Sequence, residues 1–444
     1  MSILLDRLLS PAIVLMGRLR FAQKLVLMAA SFVATTILLS AFLLSSLQSE
    51  IDMSLTERHG ASAFTALRDM TEAMSLQRDL DRRIAAGEKD LEQERAMQQS
   101  RVNSAMQKID EWLPRAHGSA ELTSDFAAIR KNWEQAQAEN GGNAEARDAA
   151  HLAAIDGVIG FIESVADASN LVQEPEDEGF YIADALIYQL PRMADQAARL
   201  RDLGARVIAN GAVWVDDRVQ IMAAEGLIDQ AEHRFDTAMK RVWALTPYLQ
   251  ARVEPKNKVM HDTLAAGNDI LRSQVVEAET ITVSARELGV QGKAAIAAVF
   301  AVYDELLPHL QQILDARIKR LGTERYLVVG ACSFALLLSL YLFVGFTLST
   351  RRALQGISSA TAGLAAGELL EHVAVDTADE MRDIADRIES VSSTLRRFAA
   401  AQEEIAHQHA EGFISRTIPA DEFDGAFRQA AQEVNDLVQS HIAV

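Results

Sequence analysis

Tyr181, Asp184, Tyr188, Arg192 and Asp195 follow one another at spacings of 3, 4, 4 and 3 residues, so a helix would bring them onto one face. Such a face offers convergent donors and acceptors to a small polar ligand in a mostly apolar cleft. The same spacing fits an amphipathic helix whose solvated side carries these groups while Ile182, Leu186, Leu190 and Met193 face a core. That plainer reading is favoured. Upstream, Arg68, Arg78, Arg82 and Arg83 could hold a carboxylate ligand through the paired N–H groups of a guanidinium, although exposed arginines on helix surfaces are commoner. The candidate ligand residues are therefore Arg78, Arg82, Tyr181, Asp184, Tyr188 and Arg192. His407 and His409 are the one close histidine pair, and on a helix residues two apart point to different faces, which argues against shared metal ligation. With no Ser/His/Asp grouping, P-loop or paired carboxylates in a Gly-framed cleft, no enzymatic activity, metal or cofactor is expected.

The elements that must position these groups are helices. Of 444 residues 49% are hydrophobic, which excludes global disorder, and only 23 Gly and 8 Pro interrupt the chain. A balance of 62 acidic against 43 basic residues, net charge −19, speaks against a nucleic-acid binder. The single cysteine, Cys332, excludes an internal disulfide framework.

Two stretches of 25 residues, Leu25 to Ser49 and Tyr326 to Thr350, contain no charge, and each exceeds the roughly 20 apolar residues that cross a bilayer as a helix. The first is long for a signal-peptide core and lacks a small-residue cleavage site before Glu50, so an uncleaved helix is expected. Arg7, Arg18, Arg20 and Lys24 precede the first stretch, and Arg351 and Arg352 come directly after the second. Positive charge stays on the cytoplasmic side, so both termini are expected inside and the intervening segment outside.

That segment reads as helix after helix. Ile155, Val158, Ile159, Ile162 and Val165 show the spacing, and breaks are expected at Gly87, Pro114 to Ser119, Asn140 to Asn143, Pro175 to Gly179, near Gly211, and from Pro247 to Pro255. So many breaks favour two stacked helical modules over one very long four-helix bundle. Pro308 is expected to kink the last helix or to mark a junction.

Residues 353–444 carry 16 acidic groups against 6 Arg and no Lys. Leu354, Ile357, Thr361 and Leu364 are followed by a connector from Ala366 to Asp376, and then by Met381, Ile384, Ile388, Val391, Leu395, Phe398 and Ile405 on a seven-residue repeat. One short and one longer helix cannot bury both seams alone, whereas a dimer forming a parallel four-helix bundle can. Arg351-Arg352, Gly367-Glu368-Leu369 and Asp379-Glu380-Met381, directly after an apolar span, resemble a HAMP domain, the linker of bacterial transmembrane receptors. By that resemblance Arg351, Arg352, Ile357, Leu364, Gly367, Glu380, Ile384, Ile388 and Leu395 relay the signal. The stretch beyond, and Glu174 to Asp184 with Leu190-Pro191 and Leu203-Gly204, are similar to segments of methyl-accepting chemotaxis proteins and other helical sensors.

The expected class is thus all-α: a membrane-anchored helical bundle sensor followed by a HAMP coiled-coil bundle. The expected order is a cytoplasmic N-terminus (1–24), a transmembrane helix (25–49), a periplasmic helical sensor domain (50–325), a second transmembrane helix (326–350), HAMP (351–400) and a helical linker (401–444). The resemblance implies a homodimer in the bacterial inner membrane that takes a small-molecule ligand or a periplasmic binding protein, without nucleic acid. The kinase CheA and adaptor CheW would be met only through a signalling hairpin that such receptors carry further on and that is missing before Val444. The input half of a sensor histidine kinase is the alternative, and a membrane protein that merely dimerises a third.

Overall fold

Neither uncharged stretch contains a proline, and in the computed structural model each lies within one unbroken helix, the second running through Gly330 and Gly345. The structure describes residues 2–138 and 144–442, so the break expected at Asn140 to Asn143 lies outside the described residues. In chain order the helices are α1 (Ser2–Arg18), α2 (Phe21–Ala85), α3 (Glu92–Trp112), α4 (Ser119–Ala138), α5 (Ala144–Ala168), α6 (Asp177–Asp184), α7 (Leu190–Asn210), α8 (Val215–Leu245), α9 (Pro247–Leu271), α10 (Ala285–Ala365), α11 (Glu380–Ala410) and α12 (Gly425–Ile442). No strand occurs among the described residues. The fold class is all-α.

Local chemistry sets the boundaries. Helix α7 ends at Gly211 in the left-handed region, φ 66°, where a side chain would be strained. Helix α8 then starts with Asp217 accepting the Trp214 backbone N–H, and α9 starts with Pro247, whose missing N–H costs nothing in a first turn. The break expected up to Pro255 is confined to Thr246; Pro255 sits inside α9. Pro308 likewise lies within α10, which runs through it without a junction. A π-helical turn over Ala185–Gln189 links α6 to α7 into one continuous rod.

The chain divides into two compact units, Leu43–Leu327 and a second formed by Met1–Phe42 with Val328–Val444. The large unit has one contiguous core. Phe64, Leu67, Met70 and Met74 of α2 meet Val102 and Ile109 of α3, Phe126 and Trp133 of α4, and Ile155, Val158 and Ile162 of α5. Ile221, Ile228 and Phe235 of α8, Val253 and Met260 of α9, and Val299, Phe300 and Tyr303 of α10 continue it. Ile182, Leu186, Leu190 and Met193, expected to face inward, are fully buried.

Three helices are long and apolar enough to cross a membrane: α2, α10, and most of α5. Half of the apolar window of α5 is buried in the protein, as its place in the core requires, whereas none of the windows of α2 and α10 is. In the second unit, Ala353, Val373, Val375 and Ala385 form one small core, and Ile405, Ile418, Phe423 and Ala431 form another.

Gly204 marks a tight helix contact in the large unit, because a Cβ there would collide with the side chains of Leu288 and Leu271, both buried. Replacing Gly204 by Val is expected to destabilise the protein by about 1–3 kcal/mol through overpacking. Chemical denaturation monitored by circular dichroism checks this, with G226V, where an added Cβ meets open space, as the control.

Candidate functional site

The richest cluster of ionisable side chains lies around an open cavity of about 510 Å³ in the large unit, lined by Arg78, Arg82 and Arg83 of α2, Asp148 and His151 of α5, and Asp202 and Arg206 of α7, among others. Arg78 and Arg82 are one helical turn apart, so their guanidinium groups stack along the same face of α2. Both grip Asp148 with two hydrogen bonds: Nε and Nη2 of Arg78 at 2.7 and 2.9 Å, those of Arg82 at 2.9 and 3.0 Å. The remaining Nη1 atoms face Asp202, at 2.8 Å from Arg78 and 3.3 Å from Arg82. Two cations and two carboxylates thus close a neutral square.

Burial opposes the charge of Asp148, but hydrogen bonds from Arg78 and Arg82 outweigh it and hold its carboxyl well below the usual carboxylate range. Beneath the square, Arg201 is almost fully buried; its Nε donates to Asp202 at 2.9 Å and its Nη2 to the Ser75 carbonyl at 3.0 Å. His151, buried at the back of the cavity, holds Asp81 through Nε2 at 2.9 Å, leaving Nδ1 without a hydrogen-bond partner. Since Asp81 as a carboxylate only accepts, Nε2 carries the proton. Burial works against the Asp81 charge too, and the bonds from His151 and Arg95 lower its pKa all the same.

The sequence-derived residues therefore separate. Arg78 and Arg82 come together at the cavity and are not solvated surface arginines; Arg78 is only 5% exposed. Their forks are filled by the protein's own carboxylates, so an incoming carboxylate or similar anion would have to take the place of Asp148. Tyr181, Asp184, Tyr188 and Arg192 stand elsewhere, partly exposed along α6 and α7. Arg241 stacks over Tyr181, Asp184 accepts from Gln189 at 3.1 Å, and Arg192 reaches Glu163 at 2.7 Å while lying over Tyr188. Asp195, which the regular spacing put on the solvated side with Arg192, is buried beside Arg199. Asp148, Asp202 and Arg201 escaped sequence reasoning, since a charged residue gives no sign in sequence that it will be buried by a partner far along the chain.

The second unit shows a repeat that the heptads had hidden. Gly367 turns the chain after α10 at φ 88°, and Gly412, 45 residues on, turns it after α11 at φ 96°. Val373 enters the first small core and its N–H donates to Glu389 Oε1 at 2.8 Å; Ile418, again 45 residues on, enters the second and donates to Asn435 Oδ1 at 2.7 Å. Ala360 corresponds to Ile405, and Ala385 to Ala431, one residue later. Each half is helix, connector, helix, and α11 belongs to both. Of the relay residues, Ile357, Leu364, Ile388 and Leu395 are half-buried, Arg351, Arg352 and Glu380 exposed. Leu354, Ile384 and Val391 are 37%, 44% and 48% exposed on a stripe that the connector leaves open.

Residues 395–440 match the family model described as methyl-accepting chemotaxis protein McpB, second HAMP domain. That stretch coincides with the second of the two repeats, beginning where the segment read as HAMP from sequence ends. The stretch is thus similar to a HAMP unit of the chemotaxis-receptor kind. Among solved structures the chain is similar to one titled as that of the NasR transcription antiterminator, at 17% identity and a TM-score of 0.47, covering 79% of this chain and 97% of that one. A likeness of that strength assigns neither family nor activity. No curated protein matches the chain.

Asp148→Ala removes one of the two carboxylates that neutralise a buried arginine pair, and a loss of about 3 kcal/mol is expected. Because its folded pKa is depressed, Asp148 stabilises the protein fully above its ordinary pKa of 3.8 and progressively less as acid titrates it. Denaturant titrations at pH 7 and pH 3 check both: D148A is expected to lose more, relative to wild type, at the higher pH.

Proposed function

We propose that the chain is a chemoreceptor-like transmembrane sensor. The observation that carries this reading is an order: an apolar helix segment, a large helical unit with a charged cavity, a second apolar segment, then two helix–connector–helix repeats of which the second matches a chemotaxis-receptor HAMP domain. In this reading Leu25 to Ser49 and Tyr326 to Thr350 cross the inner membrane, both termini are cytoplasmic, and the large unit faces the periplasm. The arginine-rich cavity takes the signal, a small anion or carboxylate presented free or by a binding protein, which competes with Asp148 for Arg78 and Arg82. The chain is not an enzyme.

Two consecutive HAMP units, residues 351–400 and 395–440, then carry the signal inward as a homodimer. The open stripe of Leu354, Ile384 and Val391 supports this, because a second copy would cover it and complete the four-helix seam. Ligand binding biases the units between two packings only in so far as the ligand binds one of them more tightly.

Reporter fusions are expected to place Ala146 outside and Ala400 inside; finding both on one side would end the two-span reading. With Cys332 replaced by Ser, a cysteine at Leu395 is expected to crosslink across the dimer, and Ile388→Asp to reduce that yield severalfold, since an unpaired charge in a closed seam costs several kcal/mol. Equal yields with and without the Asp would refute the seam. For the sensor itself, the full chain in detergent is screened by thermal shift against organic acids, amino acids and inorganic anions. A stabilising compound that loses its effect in R82A supports the site, and a shift unaltered by R82A removes the cavity from the reading.

A further inference from the structure

A second charged cluster lies apart from the cavity, where α2, α10 and the strap Asn170–Glu176 meet. Arg317 of α10 reaches Glu57 of α2 at 3.1 Å through Nη1 and pairs with Glu174 of the strap through Nη2. All three residues are at least nine-tenths buried, and both carboxylates have fully buried side chains. One guanidinium thus faces two enclosed carboxylates. Glu174 Oε1 also accepts the Glu176 backbone N–H at 3.2 Å, but Glu57 Oε1 and Glu174 Oε2 are buried without a partner, so hydrogen bonding meets the surplus only in part. Of the other ionisable groups nearby, Glu176 of the strap pairs with Arg320 of α10 at 2.8 Å and lies 3.8 Å from Arg317 Nε, Arg58 of α2 pairs with Asp315 of α10 at 2.8 Å, and Glu178 of α6 is hydrogen-bonded to His309 of α10 at 2.7 Å. The strap has little room to relax, because Ser169 and Leu171 at its start press on Gly60, and Glu174 on Gly179.

We propose that the Glu57–Arg317–Glu174 cluster is a proton-binding site whose occupancy sets how tightly the strap holds α2 to α10. The step is the addition of one proton to a carboxylate to give a neutral carboxylic acid, which cancels the surplus charge. Released, the proton leaves two like charges on one cation, and the strap is pushed outward.

The titration of Glu57 supports this assignment. Burial raises its pKa to about 7, with the charges of Glu174 and Glu176 adding to the rise and Arg317 opposing it. The folded protein therefore holds a proton that the unfolded chain, with the ordinary value of 4.5, has lost. Between those values stability falls as pH rises, and above about 7 it levels off. The device does not depend on the cavity or on any ligand there.

The test uses the full chain in detergent, with unfolding midpoints measured from pH 5 to 8 and hydrogen exchange of residues 170–176 corrected for the intrinsic pH dependence of exchange. One linked proton changes the opening equilibrium by up to about tenfold per pH unit. Wild type is expected to show falling midpoints and a strap that opens more readily as pH rises to 7. Glu57→Gln, a permanent mimic of the neutral acid, is expected to flatten both and to protect the strap at pH 8. Glu174→Gln removes the competing charge and is expected to move the wild-type transition to lower pH. An E57Q profile that tracks wild type, or an E174Q transition that stays in place, would overturn the proposal. Should E57Q fail to fold, the direction of the E174Q shift decides alone.

Discussion

The core of the large unit contains charge that it cannot expel. Arg201 and Asp202 are each about 2% exposed, and Arg78 scarcely more, at the place where α2 and α7 touch. An ion left alone there would cost several kcal/mol, so each must be answered by a partner, and apart from the Arg201–Asp202 pair within α7 the partners sit on different helices. Asp202 serves Arg78, Arg82 and Arg201 together, and Asp148 ties α5 to the same point. Apolar packing alone permits helices to slide by a turn at modest cost; a network of bidentate and paired contacts does not. The register of α2 against α5 and α7 is therefore a property of this network, and the cavity inherits its shape from it.

Much of the architecture was legible because it rests on local pattern. The uncharged stretches, the inward stripe of Ile155 to Val165, and the breaks at Gly87, Pro114 and Gly211 all arise from composition within a few turns of helix. Pro255 and Pro308 look like interruptions in sequence and are none in the fold, since a helix held by tertiary packing tolerates a proline. The π turn at Ala185–Gln189 has no sequence signature, and nothing in the regular spacing marks Asp195 as an interior residue.

At the candidate site the legible part was Arg78 and Arg82, recognisable by their one-turn spacing. Their partners were not, because Asp148 and Asp202 lie 70 and 124 positions from Arg78 and nothing in their neighbourhoods marks them. The 45-residue repeat was within reach of sequence reasoning. Gly367 and Gly412, and the connector residues Val373 and Ile418, carry it, but the continuous heptads of α11 point to one long seam and mask two short ones.

Helix α11 serves two masters in one piece of backbone, with residues up to Ser392 packed against the first connector and those from Phe398 against the second. Each residue of an α-helix advances the side-chain direction by about 100°. The few positions between Ser392 and Phe398 therefore act as a phase setting. Losing or gaining one of them would turn the second packing face by about 100° relative to the first while leaving both small apolar cores intact, whereas a change of seven would return it to within about 20°. The number of residues there is thus a stricter structural constraint than their identity.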